Sequence, residues 1–208
     1  MTKQEIAEQV LKETGGIART AQFIAAGLSR GDVCHLNNSG VLDRVRTGYY
    51  RRGGNRSLNP AQYLEALVPE GILAVESALY CHGYITEPPQ KLNIAVPRSI
   101  SQAKLRKQGI LEVLPFYVQE EQLPIGRIEM TVGGVQLPVY DKERTVCDCL
   151  KYHTHMDQEA FKAAIRHYVT DPKRNIPKLR DYAEKLGVLT MVDRMLAIML
   201  PRAEAGEI

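Results

Sequence analysis

The chain has little of what would place it in a membrane or an oxidising compartment. No segment of its 208 residues approaches the ~18–20 consecutive apolar residues that a membrane-spanning helix needs. The polar start, Met1–Glu5, carries no secretory apolar segment. Four cysteines in a chain of this length do not make a disulfide framework, so we expect reduced thiols. The sequence therefore predicts a cytoplasmic protein with no membrane partner.

The composition is that of a folded globular protein, with 44% apolar and 25% charged residues. The positive charge is unevenly distributed. Residues 1–57 hold nine Lys or Arg against five Asp or Glu, a net charge of +4, whereas residues 58–208 have a net charge of −1. All of the basic excess thus lies in the first quarter of the chain, which indicates a polyanionic partner for that quarter.

The first 57 residues have the pattern of a winged helix-turn-helix. We expect an amphipathic helix over residues 2–13, capped by Thr2 with Glu5 three residues on. A second helix begins at Thr20 as N-cap, and a third follows Ser29, which forms a capping-box-like pair with Asp32. A short turn containing Gly27 joins the last two helices, as in a helix-turn-helix. Two short basic strands then follow over residues 41–52, around a Thr-Gly turn.

The pattern of residues 58–208 predicts a separate α+β domain. Residues 53–57 (Gly-Gly-Asn-Arg-Ser) are the expected linker between it and the first domain. A hairpin is strongly indicated by Gly133-Gly134. The expected helices cover residues 60–67, 72–84, 143–153, 157–169, 176–186 and 190–200, and the expected strands residues 92–96, 111–118, 128–132 and 135–140.

The third predicted helix is the candidate reader of DNA bases. Val33 and Leu36 must face the core, so the opposite face presents Arg30, His35 and Asn38. Arginine pairs with guanine and asparagine with adenine in the major groove. Arg44 and Arg46 are two residues apart and are expected to share one face of a strand. With Arg51 and Arg52 they could hold phosphates or enter the minor groove.

Other chemistry is less well supported by the spacing. Cys149 and His153 could share a metal ion, but Cys147 points elsewhere on the helix, so we expect no metal and no other cofactor. Ser77, His82 and Asp148 supply the atoms of a hydrolase triad without a nucleophile elbow. Asp141 and Glu143 flank Lys142 where a strand meets a helix, a position typical of helix capping. Nothing here predicts catalysis.

Three segments, in this order, resemble the AbiEi-type antitoxins of type IV toxin–antitoxin (abortive-infection) systems. The first runs from Gly16-Ile17-Ala18-Arg19-Thr20 to the hairpin Leu42–Tyr50 with its Gly-x-Tyr ending. The second is Glu76–Tyr84, with Ser-Ala-Leu and His-Gly, and the third is Val139–Tyr152, with Glu-Arg-Thr. Arg19 and Thr20, which lie in the first segment, complete the set of candidate DNA-contacting residues.

The resemblance implies a transcriptional autorepressor that binds repeats of double-stranded DNA in its own promoter. It also implies an antitoxin that counters a nucleotidyltransferase-like toxin without forming a stable complex with it. Residues 58–208 would then be the antitoxin-type domain. The alternative is a winged-helix protein whose second domain is a nuclease-like enzyme.

Overall fold

The computed structural model describes residues 1–54, 64, 68, 70–100, 105, 113–132 and 134–199, and shows a mixed α+β protein. The chain divides into two compact units. The first comprises residues 1–69, 105–112 and 131–135, and the second comprises residues 70–104, 113–130 and 136–208. The expected boundary near residue 57 and the expected helix over residues 60–67 lie outside the described residues, apart from Leu64.

The first unit begins with three helices and a small sheet. Its elements are α1 (Lys3–Glu13), β1 (Ile17–Arg19), α2 (Thr20–Ala25), α3 (Arg30–Asn38), β2 (Leu42–Arg46) and β3 (Tyr49–Arg52). The strands form an antiparallel sheet in the order β1-β3-β2. Strand β1 was not predicted, because three residues are too few to show an alternating pattern.

Local capping explains where these helices begin. The Thr2 hydroxyl accepts a hydrogen bond from the Glu5 amide at 3.2 Å, and the Glu5 carboxylate accepts one from the Thr2 amide at 2.8 Å. Ser29 and Asp32 make the same reciprocal pair at the start of α3. Both capping boxes were predicted from the sequence and are confirmed. The prediction that Thr20 is the N-cap of α2 is wrong, because Arg19 occupies that position and Thr20 is the first helical residue.

The core of the first unit is formed by one face of each helix and by the strands behind them. Its buried members are Ala7, Val10, Leu11, Ala18, Phe23, Leu28, Val33, Leu36 and Leu42. Burying apolar side chains at about 25 cal/mol per Å² is the main force that holds so small a unit together.

The second unit places a sheet against a run of helices. Its strands are β4 (Ile72–Leu73), β5 (Leu92–Pro97), β6 (Val113–Val118), β7 (Arg127–Val132) and β8 (Val135–Tyr140), in the sheet order β6-β5-β4-β8-β7. Its helices are α4 (Val75–Cys81), α5 (Lys142–Tyr152), α6 (Gln158–Thr170), α7 (Ile176–Leu186) and α8 (Leu189–Met199), with short 3-10 turns at Glu120–Gln122 and His153–His155.

The predicted helix over residues 72–84 is wrong in its first part. Ile72 and Leu73 form a central strand, antiparallel to β5 and parallel to β8, and the helix begins only at Val75. A short buried apolar run cannot be assigned to strand or helix from periodicity alone. Val75 adopts φ +46°, which is unusual for a β-branched residue, at the turn from strand to helix. The other predicted elements of this unit appear within a few residues, as far as the chain is described.

Candidate nucleic-acid interface

Helix α3 divides into a buried and an exposed face, as its spacing predicted. Val33 and Leu36 are buried in the core of the first unit. The opposite face is exposed and presents Arg30, Cys34, His35 and Asn38. This face therefore offers a guanidinium, an imidazole and a carboxamide to a partner, with no acidic side chain among them.

The turn of the β2–β3 hairpin is joined to the start of α2. The carbonyl oxygen of Gly48 accepts hydrogen bonds from the Thr20 amide at 2.9 Å and from the Thr20 hydroxyl at 3.3 Å. The guanidinium of Arg19 lies over the ring of Tyr49, 5.4 Å from its centroid. Three residues next to each other in space, Arg19, Thr20 and Tyr49, thus surround one turn.

The hairpin arginines differ in their surroundings. Arg44 is exposed, and its Nη2 donates to the Thr47 hydroxyl at 3.0 Å. Arg51 is mostly buried and pairs with Asp43 at 3.6 Å, whereas Arg52 is exposed and pairs with Glu8 of α1 at 3.5 Å. Of these three arginines, Arg44 is therefore the best placed to meet a partner.

A register shift in β2 changes one expectation. Arg44 lies opposite Tyr50 and Arg46 opposite Tyr49, so an extra residue is accommodated between the two arginines. A bulge of this kind breaks the alternation of side chains along a strand. The expectation that Arg44 and Arg46 share one face assumed an unbroken alternation, which the backbone of β2 does not have.

Ion pairs within the first unit neutralise some of its cations and leave others without a carboxylate partner among the described residues. Besides Asp43 and Glu8, Asp32 is paired, with Lys3 at 2.6 Å, and this lysine and the Ser29 hydrogen bonds hold the pKa of Asp32 well below its ordinary value. Within the part of the chain that the structure describes, no carboxylate pairs with Arg19, Arg30 or Arg44. These three cations lie on β1, α3 and β2.

In the second unit, Asp141 caps α5 as predicted, whereas Glu143 bonds to a residue outside that helix. Asp141 accepts from the Arg144 amide at 2.9 Å and pairs with Lys178 at 2.8 Å, which raises the pKa of that lysine. Glu143 is buried and accepts from the Asn175 amide at 3.1 Å. Lys142 pairs with Asp171 and thereby lowers the pKa of Asp171 to about 2.

Arg144 organises the loop before this helix from a buried position. Its Nε donates to Asp148 at 3.1 Å, and its Nη1 donates to the carbonyls of Gln122 at 2.7 Å and Ile125 at 2.9 Å. A Cβ on Gly126 would lie only 2.4 Å from the Cβ of Arg144, so this approach requires glycine. A buried pair with satisfied donors specifies a single arrangement of chain.

The residues of the hypothetical triad each serve a different structural contact. Ser77 accepts from the Asn93 amide at 2.8 Å, Nε2 of His82 lies 2.7 Å from the Tyr140 carbonyl, and Asp148 pairs with Arg144. Burial lowers the pKa of His82.

The thiols of the hypothetical metal site are enclosed. Cys147 and Cys149 are fully buried, and burial raises the pKa of both. Among the residues that the structure describes, no three His, Cys, Asp or Glu side chains are grouped so as to hold a metal ion. In the same residues, no helix is both long and apolar enough to cross a membrane.

No protein-family model and no curated protein matches this chain. Sequence reasoning named the cations of this unit but missed the Tyr49 contact and the Gly48 contact. Both join residues about 30 positions apart, and a local pattern carries no signal of such contacts.

Proposed function

We propose that the protein is a DNA-binding transcriptional regulator whose first unit is a winged helix-turn-helix. The element order α1-β1-α2-α3-β2-β3, with a three-stranded antiparallel sheet, is typical of that class. The observation that carries the proposal is the exposed polar face of α3 beside a hairpin whose Arg44 has no carboxylate partner in the described chain.

The exposed face of α3 suits the major groove. Nine helical residues extend over about 13 Å, and the groove of B-DNA is roughly 12 Å wide. Arg30 and Asn38 lie on this face, at the two ends of the helix. Both side chains form bidentate contacts with purine edges, to guanine and adenine respectively. We assign base recognition to α3.

Phosphate binding falls to Arg19 and Arg44. The last part of α3, His35–Asn38, carries no formal charge at neutral pH, so most of the electrostatic attraction must come from outside this helix. Each neutralised phosphate releases counterion, which makes the affinity depend on salt and not on sequence.

The regulator is further proposed to be an AbiEi-type autorepressor and antitoxin. The three sequence segments named above support this reading, in which the protein binds repeats in its own promoter and counters a nucleotidyltransferase-like toxin without a stable complex. The second unit, which is nearly neutral overall, would supply the antitoxin activity.

The DNA-binding proposal is tested with the full chain and a labelled duplex from its own promoter, in the presence of Mg²⁺. We expect retarded and intact DNA. Arg44→Ala should weaken this complex, whereas the matched control Arg127→Ala, which removes an exposed ion pair with Glu129 in the second unit, should not. Cleaved DNA would instead support the nuclease-like alternative.

The antitoxin proposal is tested by co-expressing the protein, from an unrelated promoter, with the toxin candidate of the adjacent reading frame. Because antitoxin activity is assigned to the second unit, the full-length variant Arg30→Ala/Arg44→Ala should still rescue growth. Loss of rescue together with loss of DNA binding would reduce the antitoxin to a repressor of toxin expression.

A further inference from the structure

The contact between Thr20 and Gly48 links two parts of the first unit that are 28 residues apart. A single carbonyl oxygen at the hairpin turn accepts from both the amide and the hydroxyl of Thr20. Gly48 adopts φ +80°, a conformation that other residues rarely take, so the turn that presents this carbonyl requires glycine. We call this pair of hydrogen bonds the hairpin latch.

The residues on either side of Gly48 each hold one arginine. Thr47 accepts a hydrogen bond from Arg44 at 3.0 Å, and the ring of Tyr49 lies beneath the guanidinium of Arg19 at 5.4 Å. Arg19 and Tyr49 are also paired across β1 and β3. Two arginines from different strands are thus supported by one turn, and Thr20 fixes that turn to α2.

The hydroxyl of Thr20 is already committed as a donor. A threonine hydroxyl has one proton, and here it is donated to Gly48; the amide proton is donated to the same oxygen. The unprotonated phosphate oxygens of DNA can only accept hydrogen bonds. While the latch is closed, Thr20 therefore has no proton to give to DNA, although the sequence suggested it as a DNA contact.

We propose that Arg19 and Arg44 form a preorganised clamp for the phosphodiester backbone of DNA, and that Thr20 is a positioning residue that keeps the clamp in place through the hairpin latch. This inference rests on the proposed DNA-binding function and adds a division of roles to it. A long side chain that is free in solution loses conformational entropy when DNA immobilises it. Because Arg19 and Arg44 are already held in place, we expect each to raise the affinity by about two- to tenfold over a free arginine.

The test compares full-length Thr20→Val and Thr20→Ser with the natural protein, by fluorescence anisotropy with a mixed-sequence duplex of roughly two helical turns. Valine has the shape of threonine without the hydroxyl, and serine keeps the hydroxyl. We expect Thr20→Val to raise Kd about two- to tenfold on every duplex, with an unchanged salt dependence because no charge is lost. Thr20→Ser should bind nearly as the natural protein does.

A double-mutant cycle separates positioning from direct contact. In the background Arg19→Ala/Arg44→Ala, Thr20→Val should cause no further loss, because the clamp that it positions is gone. Effects that simply multiply would show that Thr20 acts on DNA independently and would overturn the inference, as would a Thr20→Val protein with natural affinity.

A variant at an exposed position guards against loss of folding. Thr47 is exposed, and Thr47→Val removes the hydroxyl that accepts from Arg44 while it keeps the shape of the side chain. We expect it to raise Kd by a similar factor with an unchanged circular dichroism spectrum, and natural affinity in this variant would contradict the clamp. If the natural protein binds no duplex at all, the proposed function itself fails; if it binds and these variants bind equally well, only the latch fails.

Discussion

Arg51 and Asp43 lie directly opposite each other on β3 and β2, with Nη2 of the arginine 3.6 Å from Oδ2 of the aspartate. Only 13% of the Arg51 side chain is exposed, against 68% for that of its neighbour Arg52. Two adjacent arginines that look equivalent in the sequence therefore have different surroundings. Of the two, Arg52 has the more accessible side chain for contact with DNA.

Arg44→Ala and Arg51→Ala should separate binding from stability. Loss of Arg44 should weaken binding to every duplex and flatten the slope of log K against log salt by up to ~0.9, because one phosphate contact is lost. Arg51→Ala should lower the melting temperature, since the packing of a mostly buried side chain and its ion pair with Asp43 are lost, while the slope stays unchanged. Anisotropy at several salt concentrations and thermal melts measure both. An equal loss of slope in the two variants would contradict this assignment.

Asn38→Ala should change which sequences the protein prefers. A bidentate contact with a base is worth ~1–3 kcal/mol of discrimination, and removing it should relax the preference at one base pair. Selection from a randomised duplex library measures this. The matched control is Asn37→Ala, on the same helix but half-buried, which should keep the natural preference. If Asn38→Ala also keeps it, Asn38 does not read a base.

The four cysteines should differ sharply in reactivity. Cys34 is exposed on α3, Cys81 is half-buried with a pKa raised by burial to about 11, and the other two are fully buried. Thiolates react and protonated thiols do not. A thiol reagent at neutral pH should therefore modify one cysteine quickly in the folded protein and all four after denaturation, and Cys34→Ser should remove the fast phase. A fast phase that persists in this variant would refute the burial of the others.

Asp171→Asn should reduce stability in a pH-dependent way. Lys142 lowers the pKa of Asp171 to about 2, so the carboxylate stabilises the fold above its ordinary pKa of 3.8 and this contribution is lost as the pH falls towards 2. Denaturant unfolding should show a stability difference between variant and natural protein at pH 6 that shrinks between about pH 4 and 2. Asp181→Asn, which removes the same charge from an exposed pair with Lys185, controls for net charge. A difference independent of pH would contradict the pairing with Lys142.

Three helix starts were predicted correctly, because their capping signals are local. The capping boxes at Thr2 and Ser29, and the cap at Asp141, each depend on residues within three positions. The β7–β8 hairpin and the helices α5 to α8 were also predicted for this reason. The division of α3 into a buried and an exposed face follows from helical periodicity alone.

The elements that failed depend on distant partners. Ile72 and Leu73 are a strand only because β5 and β8 lie on either side of them, and β1 is a strand only because β3 pairs with it. The candidate site shows the same limit. Neither the bulge between Arg44 and Arg46 nor the Asp43 pairing of Arg51 could be predicted, since both depend on strand register.

One salt titration tests whether the first unit binds duplex DNA through α3 and the hairpin. The Kd of the full-length protein and of Arg19→Ala/Arg44→Ala would be measured on the same promoter duplex over a series of salt concentrations. We predict that log K of the natural protein falls linearly with log salt. For the double variant, the slope of log K against log salt should be shallower by up to ~1.8, about 0.9 for each lost phosphate contact. Equal slopes, or no complex at low salt, would contradict this prediction.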